Sequence, residues 1–144
     1  NKIKTTGQLA KIIRDAIPLR KSKIDPATKT FQAIRIYLND EITELEQGLK
    51  AAEKVLRPEG KLVVVSFHSI EDRIVKNFFL NCLNNKSLSR HLPELPQKEP
   101  SLQILTKKPI LPSKKEIYLN NRSRSAKLRV AKRTSYTSSF GEVK

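Results

Sequence analysis

The chain has 144 residues, 38% of them hydrophobic, which suits one domain of ordinary size with a core of its own. Its formal net charge is +15, from 29 Lys and Arg against 14 Asp and Glu, and this points to an anionic partner, nucleic acid before an acidic membrane surface. No run of about 18 apolar residues offers a membrane span, no signal peptide is visible at the start, and the single Cys82 offers neither an internal disulfide nor a metal-site spacing, which favours a reducing, cytoplasmic setting.

The charge is unevenly placed. Residues 1–29 carry 8 basic and 2 acidic side chains, residues 30–89 carry 8 and 8, and residues 90–144 carry 13 and 4. A neutral structural middle flanked by basic binding segments produces such a profile. The chain opens at Asn1, has no methionine, and has only four glycines with no Gly-rich loop, which points to a piece of a longer protein.

In chain order, "TTGQLAKIIRDAIP" (5–18) predicts a short helix: Leu9, Ile12, Ile13, Ala16 and Ile17 recur at helical spacing and Pro18 stops it. "LRKSKIDPATK" (19–29) is a basic connector. Asp25-Pro26 disfavours helix at Asp25, and Thr28 or Thr30 is the expected cap of the next helix. Residues 30–56 predict one long helix, with Phe31, Ile34, Leu38, Ile42, Leu45, Leu49, Ala52 and Leu56 as a one-sided stripe, ended by "RPEG" (57–60). "KLVVVSF" (61–67) then reads as a strand. Its apolar run is continuous, the pattern of a strand covered on both faces in a parallel α/β sheet. Residues 70–83 predict a helix with Ser69 as N-cap and Glu71 and Asp72 at its positive end.

Helix, strand and helix in this order form part of a doubly wound α/β sheet. Residues 84–100 read as a loop, "LQILTKKPILPS" (102–113) and "SAKLRVAKRTS" (125–135) each as a strand, and the tail from Tyr136 as loose.

Two stretches carry candidate chemistry. In doubly wound folds, ligands sit beyond the carboxyl ends of the strands, which is where "SFHSIEDR" (66–73) turns. His68 is placed to face a substrate there, with Ser66 and Ser69 as hydrogen-bond donors. The plainer reading makes Ser69 a cap and His68 a solvent-exposed corner residue. In "NNRSRSAKLRVAKR" (120–133), Arg122, Arg124, Lys127, Arg129, Lys132 and Arg133 occur with no acid among them. Arginine forks suit phosphates; the plainer reading is a solvated basic tail. Tyr118, Tyr136 and Phe140 lie nearby, but no aromatic base-reading platform is evident.

Three motifs occurring in order carry a resemblance. "DPATKTFQAIRIYLNDEITELEQGLKAAEKVLRPEGKLVVVSFHSIEDRIVKNFF" (25–79) closely resembles the bacterial 16S ribosomal RNA cytosine N4-methyltransferases, the family of ribosomal small-subunit methyltransferase H. "NNRSRSAKLRVAKR" is similar to that family's C-terminal signature, and "TTGQLAKII" to the end of its helical insertion domain. The likeness runs from about residue 4 to 134. It departs from the family at Asp25, where histidine is common, and at Asn121, where proline is.

The resemblance implies an α/β fold: the C-terminal part of a class I, Rossmann-like methyltransferase sheet preceded by the last helix of a helical insertion. Residues 1–24 would be the end of the insertion and its connector, 25–135 the C-terminal half of the α/β domain, and 136–144 a loose tail. It implies S-adenosylmethionine-dependent methylation of the N4 amine of a cytidine in 16S ribosomal RNA or the small ribosomal subunit. The family's Gly-rich cofactor loop, its acidic ribose partner and its Asp-Leu-Gly-Val-Ser-Ser segment have no match here. No cofactor-binding or catalytic residue is therefore carried over, the S-adenosylmethionine site is expected in a missing N-terminal part, and this length alone is expected to be inactive. RNA contacts are expected at Thr28, Lys29 and Arg35 before and on the long helix, at His68, Ser69 and Arg73 on the corner, and at Arg122, Arg124, Lys127 and Arg129. The rival readings are a non-catalytic basic RNA-binding or ribosome-associated module, and an inactive truncated product.

Overall fold

A computed structural model describes residues 2–17, 25–83 and 100–135; the expected loop over 84–99 and the tail from Tyr136 lie outside them. Contacts group the chain into two compact units, residues 1–44 and 45–144.

The first unit holds α1 (Thr6–Ala16), α2 (Pro26–Leu38) and the opening turn of α3 (Glu41–Val55). Thr5 caps α1: its Oγ1 accepts from the Gln8 N–H at 3.2 Å, and Gln8 Oε1 accepts in return from the Thr5 N–H at 3.3 Å. Two orphan donors are thereby satisfied reciprocally. α2 packs against α1. The expected cap at Thr28 or Thr30 is corrected to Asp25, whose Oδ1 accepts from the Ala27 N–H at 2.9 Å. Pro26 at the first helical position has no N–H to satisfy and a φ suited to the helix, so the cap falls three residues before Thr28. Asp25 Oδ2 also receives Arg14 Nη2 at 2.6 Å, which ties the two helices through an exposed pair.

The single helix expected over 30–56 is broken. α2 ends at Leu38, and α3 begins at Glu41 after Asp40 has taken φ 49°. Asn and Asp enter the left-handed region more readily than other non-glycine residues, because their short side chains bond locally. Asp40 does so: its Oδ1 accepts from Thr43 Oγ1 at 2.8 Å. The apolar spacing runs through the break unchanged, which is why periodicity alone missed it.

The second unit is a small mixed α/β body. β1 (Lys61–Ser66), α4 (Ser69–Cys82), β2 (Leu102–Ile104), α5 (Lys114–Leu119), a short 3-10 turn (Asn121–Ser125) and β3 (Lys127–Arg133) come after α3. The strands form a three-stranded sheet in the order β1-β3-β2, with β3 antiparallel to both neighbours. The expectation of a parallel neighbour for β1 is thus corrected among the described residues: the strand beside it is β3, returning from the far end of the chain. The segment read as a strand over 102–113 is a strand only at 102–104, with one further bridge between Ile110 and Leu128.

Register settles which side chains share a face. Leu62 pairs with Ala131, Val64 with Arg129, Ser66 with Lys127, Leu102 with Arg133 and Ile104 with Ala131. This inner face meets α4. The core cluster is Leu49, Val75, Phe78, Phe79, Cys82, Leu102 and Ala131, with Leu45, Leu62, Val64, Ile74 and Ile104 packed on it. Each fully buried large apolar side chain is worth roughly 1.5–3 kcal/mol. On the other face Val63 and Val65 are about half exposed, so the continuous apolar run of β1 is covered on one side only among the described residues. The turn before β1 needs its glycine: a Cβ at Gly60 would stand 2.8 Å from the Arg57 carbonyl oxygen.

Inside the core lies an ion pair. Glu53 of α3 is 1% exposed, and Arg133 Nη1 reaches its Oε1 at 3.4 Å while donating to the Ser101 carbonyl at 3.1 Å. Removing one member of a buried pair strands the other charge, at about 3–5 kcal/mol, whereas replacing both with apolar residues is often neutral. Arg133→Met alone is expected to lower unfolding stability by that amount, and Glu53→Leu combined with Arg133→Met to restore much of it. Urea unfolding of the two single variants and the double variant tests this: a double variant that loses the sum of the singles would show no coupling.

The neighbouring thiol is affected as well. Burial, and after it the charge of Glu53, push the Cys82 thiol up to about 11. The folded value lies above the unfolded one near 8.5, so the stabilising contribution is complete below about pH 8.5 and is lost as pH rises towards 11. At pH 8 Cys82 is expected to resist a disulfide reagent in the native chain and to react at once in urea. Equal labelling rates in the two states would contradict this.

Candidate functional site

β1 ends at Ser66, and Phe67-His68 leads directly into α4. The expected cap at Ser69 is corrected to His68. Its Nδ1 accepts from the Glu71 N–H at 3.3 Å, and Glu71 Oε2 accepts from the N–H groups of Phe67 at 2.9 Å and His68 at 3.3 Å. Accepting at Nδ1 requires a lone pair there, so the neutral ring carries its proton on Nε2. That atom lies 2.9 Å from Glu71 Oε1, off the direction of a hydrogen bond. The imidazole is thus held by its own helix start, while the Ser69 side is exposed.

Asp72, one turn into α4, faces β3. Its carboxylate accepts from Arg129 Nε at 2.7 Å and Nη2 at 3.3 Å, and from Lys127 Nζ at 3.4 Å. Arg129 is buried. Ser66 Oγ donates to the Lys127 carbonyl at 3.4 Å, beside the Ser66–Lys127 register pair. The carboxyl end of β1, the amino end of α4 and the start of β3 therefore meet at one corner. The 3-10 turn enters β3 there, held by Asn120, whose Oδ1 accepts from the Arg122 N–H at 3.1 Å and whose carbonyl accepts from Ser123 Oγ at 2.8 Å. Ser123 is buried, so 121–125 is an ordered turn and not a solvated tail.

The ten residues named from sequence divide accordingly. His68, Ser69, Arg73, Arg122, Arg124, Lys127 and Arg129 belong to the elements of this corner. Ser69, Arg73, Arg122 and Arg124 are exposed, whereas Lys127 and Arg129 are engaged by Asp72. Thr28, Lys29 and Arg35 lie in the other unit, exposed on α2, with Arg35 paired to Glu41 at 2.8 and 3.1 Å. Sequence reasoning saw Asp72 only as an acid suited to a helix start. Its partners lie 55 and 57 residues away, so no local signal reveals the clamp. It also passed over Phe67, 56% exposed at the strand end.

The Arg129 guanidinium, through its hydrogen bond first and its charge after, holds the Asp72 carboxyl below its ordinary value, with Lys127 adding to this. A depressed carboxylate contributes stability above its unfolded value, near pH 3.9, and loses it as pH falls through the lower folded value. Asp72→Asn is expected to cost roughly 1.5–3 kcal/mol at pH 7 and progressively less below about pH 4. Stability curves of the two chains that stay parallel down to pH 2.5 would refute the clamp.

Comparison with known proteins places the chain in a family. The model of the MraW methylase family matches residues 1–134. A protein named ribosomal RNA small subunit methyltransferase H from Bradyrhizobium diazoefficiens is 52% identical over 131 residues, covering 91% of this chain and 40% of the relative. Proteins of the same name from Rickettsia canadensis and Rhodopseudomonas palustris are 54% identical over 134 residues and 52% identical over 140. The chain spans about two-fifths of the length of these relatives. With the family model matching nearly all of its length, the chain belongs to the MraW methylase family.

Proposed function

We propose that this chain supplies the C-terminal part of an S-adenosylmethionine-dependent enzyme that methylates the N4 amine of a cytidine in 16S ribosomal RNA, acting in the cytoplasm on that RNA or on the small subunit. In this reading the sheet belongs to a Rossmann-like methyltransferase domain, residues 1–24 end a helical insertion, and residues 25–135 form the domain's C-terminal half. The observation that carries it is the convergence of a strand's carboxyl end, a helix start and exposed arginines at one corner, in a chain of this family.

When bound, S-adenosylmethionine supplies an activated methyl group. The described residues do not fit its cradle: Gly7 and Gly48 lie within helices, and Gly60 is closed by the Arg57 carbonyl. The cofactor residues are therefore assigned to the remaining part of such an enzyme. This chain's contribution is to position the RNA. The exocyclic amine of cytidine is a poor nucleophile, so alignment and acceptance of its proton govern the rate, and the base must leave its stack. Arg122, Arg124 and Arg73 are set to hold phosphates, Ser69 offers a hydroxyl at the helix start, and Thr28, Lys29 and Arg35 extend the RNA contacts on α2. Lys127 and Arg129 act through Asp72, which keeps the corner closed, and His68 sets the start of α4 nearest the target base.

The test is transfer of labelled methyl from S-adenosylmethionine to small subunits by the complete protein, with mass spectrometry locating the modified nucleotide. Loss of methylation in His68→Ala but not in His68→Asn is expected, because asparagine also caps a helix. Loss of turnover in both variants would overturn this role for His68. Methylation at a position other than a cytidine amine would overturn the assignment of the reaction.

A further inference from the structure

The cations of the second unit fall into two sets. Those of β3 are engaged within the fold: Lys127 and Arg129 by Asp72, Arg133 by Glu53, and Lys132 by Glu59 at 2.8 Å. Between residues 105 and 126 stand Lys107, Lys108, Lys114, Lys115, Arg122 and Arg124, with Glu116 as the sole acid. All six are exposed, and none forms an ion pair with a described residue. In their midst Tyr118 is 89% exposed and Leu119 74%.

The segment is nonetheless held firmly. The bridge between Ile110 and Leu128 exchanges two hydrogen bonds, at 2.8 and 2.9 Å. Ser113 Oγ caps α5 by accepting from the Glu116 N–H at 3.1 Å, and the Asn120 N–H donates to the Glu116 carbonyl at 2.8 Å. Asn120 then caps the turn that carries Arg122 and Arg124, so α5 and the turn form one packed piece.

An exposed aromatic ring on an ordered backbone, among uncompensated cations, matches the chemistry of a single strand of RNA. Cations follow the phosphates, and a ring stacks on an unstacked base whatever its identity. A duplex keeps its bases stacked and would leave the ring unused. An acidic protein partner would explain the cations but does not call for a free aromatic face. We propose that α5 and the following turn form a platform for single-stranded RNA next to the corner, with Tyr118 stacking a base and Arg122 and Arg124 gripping its flanking phosphates. The proposal rests on the RNA-substrate reading and adds the strandedness of the RNA and the residue that stacks on it.

The chain lacks tryptophan and has three tyrosines, so tyrosine emission reports stacking directly. In the 144-residue chain carrying Tyr37→Phe and Tyr136→Phe, Tyr118 is the remaining emitter. A single-stranded RNA oligonucleotide is expected to quench it, whereas inorganic polyphosphate should bind without quenching and duplex RNA should leave the emission nearly unchanged. In the wild-type background, Tyr118→Ala is expected to weaken single-strand binding about ten-fold with an unaltered salt slope, and Tyr118→Trp to restore it. Arg122→Ala with Arg124→Ala should lower the slope by about 0.7 per lost contact and leave quenching at saturation intact. Far-UV circular dichroism of each variant confirms that this surface change left the fold in place.

RNA binding without Tyr118 quenching, or equal quenching by duplex and single strand, would overturn the platform even where the complete protein methylates RNA. Quenching as expected with no methylation would leave the platform standing and overturn the enzymatic reading. Loss of binding to RNA-free small-subunit proteins in Tyr118→Ala, with RNA binding unchanged, would assign the surface to a protein partner instead.

Discussion

The second unit depends on how β3 faces. Its inward residues are Arg129, Ala131 and Arg133, and its other face carries Leu128, Val130 and Lys132. Apolarity alone would turn the strand over, placing Leu128 and Val130 inside. Two carboxylates prevent this. Asp72 on α4 meets Arg129, and Glu53 on α3 meets Arg133, one toward each end of the strand. A one-residue slip in pairing would move both guanidiniums to the opposite face and leave both carboxylates without partners. Buried pairs contribute little net stability but much discrimination of this kind, because the misregistered alternative holds uncompensated charge. The arginine stems also fill space, carrying apolar methylenes beside the small Ala131 while their heads meet the carboxylates.

That constraint reaches the candidate corner. Asp72 is in the first turn of the helix that His68 caps, and Lys127 is the first residue of β3 and stands just past the 3-10 turn. Fixing the register of β3 therefore fixes the place where the exposed arginines enter relative to the end of β1. The same clamp sorts the charge of the chain. Cations that hold the sheet in place are neutralised locally, so the field presented to an anionic partner comes from the preceding segment. A count of basic residues overstates the binding surface unless these two groups are separated.

Much of the local structure was legible in the sequence because its causes are local. The helical spacing of α1, the turn at Arg57–Gly60 and the change from helical to extended patterning at Lys61 each rest on a few neighbouring residues. Some failures were also local. Asn39-Asp40 is a visible helix breaker, overridden in the reading by an apolar stripe that continues through it. Histidine is a weak signal for a cap, and a serine stood next to it. The orientation of β3 was not legible at all. Its alternation was plain, but which half faces inward is decided by carboxylates 57 and 80 residues earlier in the chain. For that reason Arg129 looked from sequence like a phosphate ligand, and its true neighbour Asp72 like an ordinary helix-start acid.

The outer face of the sheet is the complement of this arrangement. Val63, Val65 and Phe67 are each about half exposed, and Val63 and Val65 stand across from Val130 and Leu128 on the face turned away from α4. A continuous run such as "LVVV" is the pattern typical of α/β layers where both faces of a sheet are covered. The inner face is dry because α3 and α4 cover it, and the energetic logic is the same for the outer one: each valine there gains its transfer free energy only against another layer. Among the described residues the sheet is covered on one side only, and the chain spans about two-fifths of its relatives' length.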